Sequence, residues 1–334
     1  MMLKFDGALR STIAGALSAT VLISAALADP LPSWRDTASK ARIIAFVDAV
    51  TNPASDDYVT PAERIAVFDN DGTLWSEQPL YFQILFALDR VREMAAVDPS
   101  ILSSDTLKAA AEGDVATLAA GGTEAIAELM MVTHSGMSVE TYRGDVTAWL
   151  DAARHPQTGL RFDEMVYQPM LELLRYLRDE DFETFIVSGG GIAFIRVFAE
   201  RVYGIQPQNV VGSSLTAAYQ VIDGVPTVMK EGELFFNDDK AGKPVGIHHH
   251  IGRRPILAGG NSDGDFEMLE YATAGDGPSL GLYVHHTDAE REWAYDREGH
   301  IGTLNRGLAE ADARGFLIVD MARDWDKVFP AGGK

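Results

Sequence analysis

The sequence predicts an α/β protein: a doubly wound, mainly parallel sheet into which an α-helical domain is inserted. Three observations carry this. Short apolar runs recur at 65–68, 184–187, 209–212, 255–259, 280–284 and 316–320, and most end in a polar or glycine-rich turn. Helical periodicity fills much of the text between them. Between the first run and the second, about a hundred residues read as helices alone, far beyond the dozen a simple crossover needs.

The chain of 334 residues is 46% apolar and 23% charged, enough for one large domain or two modest ones with a sizeable core. Residues 1–28 read as a removable export signal. Lys4 and Arg10 precede a small, apolar stretch at 13–27, and Ala26-Leu27-Ala28 offers a small-x-small cleavage site before Asp29. The mature protein is then expected to be periplasmic or secreted and not embedded in a membrane. Cysteine is absent, so the core holds without disulfides. The formal net charge of −21 argues against nucleic acid or an anionic membrane as partner. Any phosphate site has to be made locally positive.

Residues 37–50 have helical spacing and stop at Asn52-Pro53. The first strand follows, bounded by Pro61 and Gly72, and it ends in Asp69-Asn70-Asp71-Gly72-Thr73-Leu74. A carboxylate at the carboxyl end of a buried strand sits where open α/β sheets place ligands. Two acids at i and i+2 on extended chain point the same way and repel unless a cation or a shared proton intervenes. An aspartate can attack phosphorus directly while a second carboxylate serves as acid and then base. Helical segments are expected at 80–96, 104–118, 123–133, 138–152 and 162–178, the last returning the chain to the sheet. The run at 184–187 leads into Ser188-Gly189-Gly190-Gly191 before a helix, a pattern that suits a phosphate cradle. Residues 217–222 and 227–230, joined at Asp223-Gly224, read as a hairpin at the edge of the sheet. Lys243 stands directly before Pro244, a favoured first helical residue, with Lys240 as the alternate. The run at 255–259 delivers Gly260-Asn261-Ser262-Asp263-Gly264-Asp265. His248-His249-His250 point three ways on a helix and cannot chelate together. His286 and Asp288 follow the fifth strand and read as core or surface groups, and Trp325 and Phe329 as packing for the C-terminal tail.

The pattern Asp-x-Asp-Gly-Thr behind an apolar strand resembles the first motif of the haloacid dehalogenase (HAD) superfamily, most closely its phosphatases. Ser188, Lys243 and the 260–265 turn resemble the second, third and fourth motifs, in the right order. The order and the position of the insert look like the phosphoserine-phosphatase branch. The resemblance implies a division into 29–74 (core, first part), 75–181 (helical cap over the active site) and 182–334 (core, second part). It further implies Asp69 as nucleophile and Asp71 as general acid and base. Magnesium would be held by Asp69, Asp71 and Asn261, with Asp265 as the later acid of the turn and a further candidate ligand. Ser188, Gly189, Lys243, Asn70 and Thr73 would contact the phosphate or order its loop.

At residue 261 the sequence departs from the usual Gly-Asp-x-x-x-Asp: an amide oxygen can ligate a hard cation but brings no charge, and Asp263 is the alternative ligand. The expected substrate is a small phosphorylated metabolite, since a cap must close over what it admits. Trp75, Glu77 and Gln78 are candidate substrate contacts. A dehalogenase has no need of Asp71. A phosphotransferase, or a catalytically silent protein that holds a phosphorylated ligand, would use the same cleft. The sequence carries no signal for oligomeric state.

Overall fold

The computed structural model describes residues 29–330, so the export signal expected at 1–28 lies outside the described residues. Nine strands are present among them: β1 (Ile65–Phe68), β2 (Met137–Ser138), β3 (Glu183–Gly191), β4 (Val210–Ile222), β5 (Val225–Phe236), β6 (Leu257–Gly260), β7 (Leu280–Thr287), β8 (Ala294–Tyr295) and β9 (Leu317–Asp320). Six pair in parallel in the spatial order β4-β3-β1-β6-β7-β9. Strand order reverses at β1, which opens a crevice beyond its carboxyl end.

All four residues of β1 are buried because the sheet is covered on both faces. Ala66 and Phe68 enter one hydrophobic cluster and Ile65 and Val67 the other, as the two-residue period of a strand requires. The chain enters through α1 (Ala38–Thr51). The insert between β1 and β3 comprises α2 (Phe82–Val97), α3 (Asp105–Glu112), α4 (Val115–Ala120), α5 (Gly122–His134) and α6 (Val139–Ala152). Then come α7 (Gln168–Asp179), α8 (Ile192–Ile195), α9 (Ala199–Tyr203), α10 (Gly242–His250), α11 (Phe266–Thr273), α12 (Arg306–Arg314) and α13 (Met321–Asp324). Apolar residues of α1, α7, α8 and α9 fill one face of the sheet, joined by Trp325 and Phe329. Those of α10, α11 and α12 fill the other. Within the insert, α2, α3, α4 and α5 share a small cluster of their own around Leu88, Val91, Leu107 and Leu129.

Three expected boundaries shift, each for a local reason. The helix read over 104–118 is two helices: Gly113, at φ +76°, ends the first in the left-handed region, and the Asp114 side chain caps the second. The helix read over 162–178 begins only at Gln168. A 3-10 turn occupies Phe162–Glu164, and residues 165–167 are held out of the helix by the segment that leaves the first strand: Ser76 N donates to Met165 O and Tyr167 N to Leu74 O, both at 2.9 Å. The strand read at 209–212 runs unbroken into the hairpin, so β4 spans thirteen residues, its first part pairing with β3 and the rest with β5. On its far side β5 pairs with β2, which precedes α6 in the insert, through Met137↔Lys230 and Ser138↔Met229.

Candidate active site

The turn after β1 is wound around one carbonyl. Asn70 O accepts from the backbone N–H groups of Thr73, Leu74 and Trp75, and Gly72, at φ +71°, donates its N–H to Trp75 O. Asp69 is anchored by its own N–H, which donates to Gly259 O on β6. The first acid therefore hangs at the switch point, and the second stands two residues on, at the mouth. Trp75 Nε1 donates to Asp71 Oδ1 at 2.8 Å, and the indole is held by stacking on Phe198 at 4.5 Å.

Lys243 enters from the start of α10, fully buried. Its Nζ lies 2.8 Å from Asp69 Oδ1 and 2.6 Å from Asp265 Oδ1, and it donates to Val187 O at 3.0 Å. Burial alone would lower its pKa; the carboxylates of Asp265 and Asp69 outweigh this and hold it above the ordinary lysine value. Lys240 belongs to the turn before the helix, where its N–H donates to Gly264 O. Ser188 is buried at the end of the regular part of β3, and its Oγ accepts from Gly190 N at 3.1 Å. Gly189 is exposed beside the loop, facing Asp239.

The 260–265 turn closes the site. Both oxygens of Asp265 are committed: Oδ1 to Lys243, and Oδ2 to the N–H groups of Asn261 (2.9 Å) and Ser262 (3.0 Å). Asp265 thus sets the lysine and the turn and does not present an oxygen to a cation. Asp263 is committed elsewhere, since its carboxylate accepts from the N–H groups of Arg306 and Gly307 at the start of α12. Asn261 is the residue of this turn that faces the first loop: its Oδ1 accepts from Thr73 Oγ1 at 3.1 Å, and its Nδ2 donates to Glu77 Oε1 at 2.8 Å.

Two residues of the first loop have their side chains engaged within the fold. Thr73 ties the first loop to the fourth and is fully buried. Asn70 turns its amide inward, where Oδ1 accepts from Tyr203 Oη at 3.0 Å. The N–H of Gly72 is spent inside its own turn. Trp75 contacts the second acid, and Gln78 offers its carbonyl to His155. His248, His249 and His250 are exposed on α10. His286 supports the first loop from behind, with Nε2 2.7 Å from Gly72 O and Nδ1 3.2 Å from Glu292 Oε2. Asp288 caps its own turn and pairs with Arg291.

Electrostatically the cleft is crowded with acid. Burial pushes the Asp69 carboxyl up to about 7, against the pull of Lys243 and with the push of Asp265 and Asp71. Burial raises Asp71 to about 6, although donors from Trp75 and Asn70 oppose it. Glu77 is held well above the usual carboxylate range by burial, and Asp71 and Asp69 add to the effect. Asp238, just before the lysine helix, is wholly buried and neither oxygen has a well-formed hydrogen bond among the described residues; burial raises it to about 8. Asp238 is missed by sequence reasoning because its significance lies in burial, which no spacing encodes.

Among the described residues no three Asp, Glu, His or Cys side chains form a cation cage by themselves. The hard oxygens that these side chains could offer a cation are the carboxylates of Asp69 and Glu77 and the amide oxygen of Asn261. Donors of that kind suit magnesium.

A sequence profile described as haloacid dehalogenase-like hydrolase matches residues 66–270. No curated protein sequence matches the chain. A conserved protein of unknown function from Anaerococcus prevotii superposes with a TM-score of 0.55 at 16% identity, covering 84% of this chain and 91% of that one. A protein of unknown function from Bordetella pertussis gives 0.47 at 17% identity, with 78% and 99% covered. A phosphoserine phosphohydrolase-like protein from Francisella tularensis gives 0.38 at 17%, with 75% and 98% covered.

Proposed function

The chain belongs to the haloacid dehalogenase-like hydrolases, and from that premise we propose that it is an exported, magnesium-dependent phosphatase of small phosphomonoesters that works through an aspartyl-phosphate. One observation supports this above the others. Asp69, Asp71, Ser188, Lys243 and Asn261, spread over 193 residues of sequence, meet at the carboxyl end of β1.

In this reading an Asp69 oxygen attacks phosphorus, and the bond to the ester oxygen breaks as Asp71 delivers its proton to the leaving alkoxide. Trp75 occupies Oδ1 of Asp71, so the proton rides on Oδ2, which lies against Gly190. Asp71 then takes a proton from the water that attacks the aspartyl-phosphate, and Asp69 is released. A carboxyl raised to about 6 is suited to both halves of that exchange. Ser188 directs its hydroxyl hydrogen at a phosphoryl oxygen while Gly190 N holds its Oγ. Lys243 has already placed its three protons, so it acts on the phosphoryl group by charge and by keeping Asp69 ionised and aimed. Magnesium, held by Asp69, the Asp71 carbonyl and Asn261, would neutralise charge on the transferring group.

A panel of small phosphate esters, incubated with protein beginning at Asp29 in magnesium and in chelator, tests the reading. Phosphate release that requires magnesium is the expected result; a folded protein inert on the whole panel points to the silent binder, which the uncharged Asn261 favours. Added alcohol acceptors separate transfer from hydrolysis. Export rests on the character of residues 1–28 and predicts an N-terminus at Asp29 after secretion.

A further inference from the structure

The acid missing at residue 261 reappears eight residues beyond the nucleophile. Glu77 is 1% exposed, and its Oε1 accepts from Asn261 Nδ2 at 2.8 Å and from Tyr295 Oη at 2.8 Å. Among the described residues no Lys, Arg or His forms an ion pair with it, whereas Asp69 and Asp265 share Lys243. A buried carboxylate without a cation is costly, so Glu77 either keeps its proton or is matched by something positive beside it.

The space around this carboxylate is made by two glycines. A Cβ on Gly72 would come within 2.6 Å of Glu77 Oε1 and within 2.0 Å of Asn261 Nδ2, and a Cβ on Gly302 would come within 2.0 Å of Glu77 Oε1. Both glycines have positive φ, +71° and +65°. Two separate loops thus keep their backbones bare where the carboxylate enters, one of them the loop that carries both acids. Packing alone does not call for an acid there; a glutamine would fill the same volume.

We propose that Glu77 supplies the carboxylate charge that Asn261 lacks, as an oxygen ligand of the divalent cation held by Asp69, the Asp71 carbonyl and Asn261. The inference rests on the phosphatase reading for the presence of that cation. It assigns to Glu77 a metal role in place of a substrate contact. Affinity at hard-oxygen sites follows the number of charged ligands, so one carboxylate at either residue 77 or residue 261 meets the requirement.

Metal binding without substrate tests this. Free Mn2+ is followed by electron paramagnetic resonance as it titrates wild type, Asp69→Asn, Glu77→Gln and the double variant Glu77→Gln/Asn261→Asp. Glutamine keeps an oxygen to accept from Tyr295 and Asn261, so only charge is lost. The expected result is at least a tenfold weaker Kd in Glu77→Gln, restored to within about threefold in the double variant. A Glu77→Gln protein that binds Mn2+ within twofold of wild type overturns the proposal. Should Glu77→Gln fail to fold, Glu77→Asp, which keeps the charge and retracts it by one methylene, is expected to bind severalfold more weakly, and unchanged affinity there overturns it equally. If wild type hydrolyses esters and binds Mn2+ while Glu77→Gln matches it, only this inference falls. If wild type binds no Mn2+, the phosphatase reading falls with it.

Discussion

The two flanks of the cleft are built from the same material and are balanced differently. On one, Lys243 stands between Asp69 and Asp265 and every charge has an opposite within 3 Å. On the other, the carboxyl groups of Glu77 and Asp71 meet only neutral donors: the Asn261 amide, a phenol and an indole. Neutral hydrogen bonds orient a carboxylate but do not cancel its charge. The first flank is thus finished by the polypeptide. The second is organised in shape and left short of positive charge, which is the condition expected where a cation and a phosphoryl group are to be received.

Substitutions on the two flanks break or sharpen this contrast. The largest effect is expected at the nucleophile: Asp69→Asn should abolish turnover of a chromogenic ester, whereas Asp71→Asn should remain measurable at roughly 10²–10⁴-fold below wild type. Equal residual rates would remove the distinction between the acids. Lys243→Met leaves Asp69 and Asp265 buried and unpaired, so thermal unfolding should show a loss of about 3–5 kcal/mol. Asp238→Asn tests buried acid next to the lysine. An unfolded aspartate titrates near 3.8 and the folded one at about 8, so between these values the folded state keeps a proton the unfolded chain releases. Wild-type stability should therefore fall as pH rises from about 4 to about 8, and the variant should lack that slope, gaining about 1–3 kcal/mol over wild type at pH 8 and nothing at pH 4. The smallest effect has the opposite sign to Lys243. In chelator, Glu77→Gln should raise stability by about 1 kcal/mol, because it spares the folded protein the cost of burying an acid with no counter-ion, as a charge or by taking up a proton, while keeping its hydrogen bonds. A loss there would show that the second flank is balanced after all.

Much of the core was legible. Ile65–Phe68 was readable to the residue because a strand buried on both faces is apolar throughout. Asp69, Ser188 and Lys243 were legible from their place at strand ends and a helix start. The reading stopped where partners are remote. Nothing near residue 165 announces that it pairs with residue 76, so the apolar spacing predicts a longer helix than forms. Glu77 meets residues 184 and 218 positions away, and only that pairing separates it from an ordinary cap acid. Tyr203 and Asn261 claim the side chains of Asn70 and Thr73, remote partners that the sequence of the loop does not name. Asp263 and Asp265 look alike in sequence, and their roles diverge because one meets the backbone of α12 and the other meets Lys243.

The helical insert is joined to the core by more than the chain itself. At one end residues 165–167 are stitched to 74–76, and at the other β2 is laced to β5, whose partner β4 runs beside β3 and its terminal serine. Fastened along two sides, the insert is coupled to the sheet that ends in Ser188 by backbone ladders as well as by the chain itself.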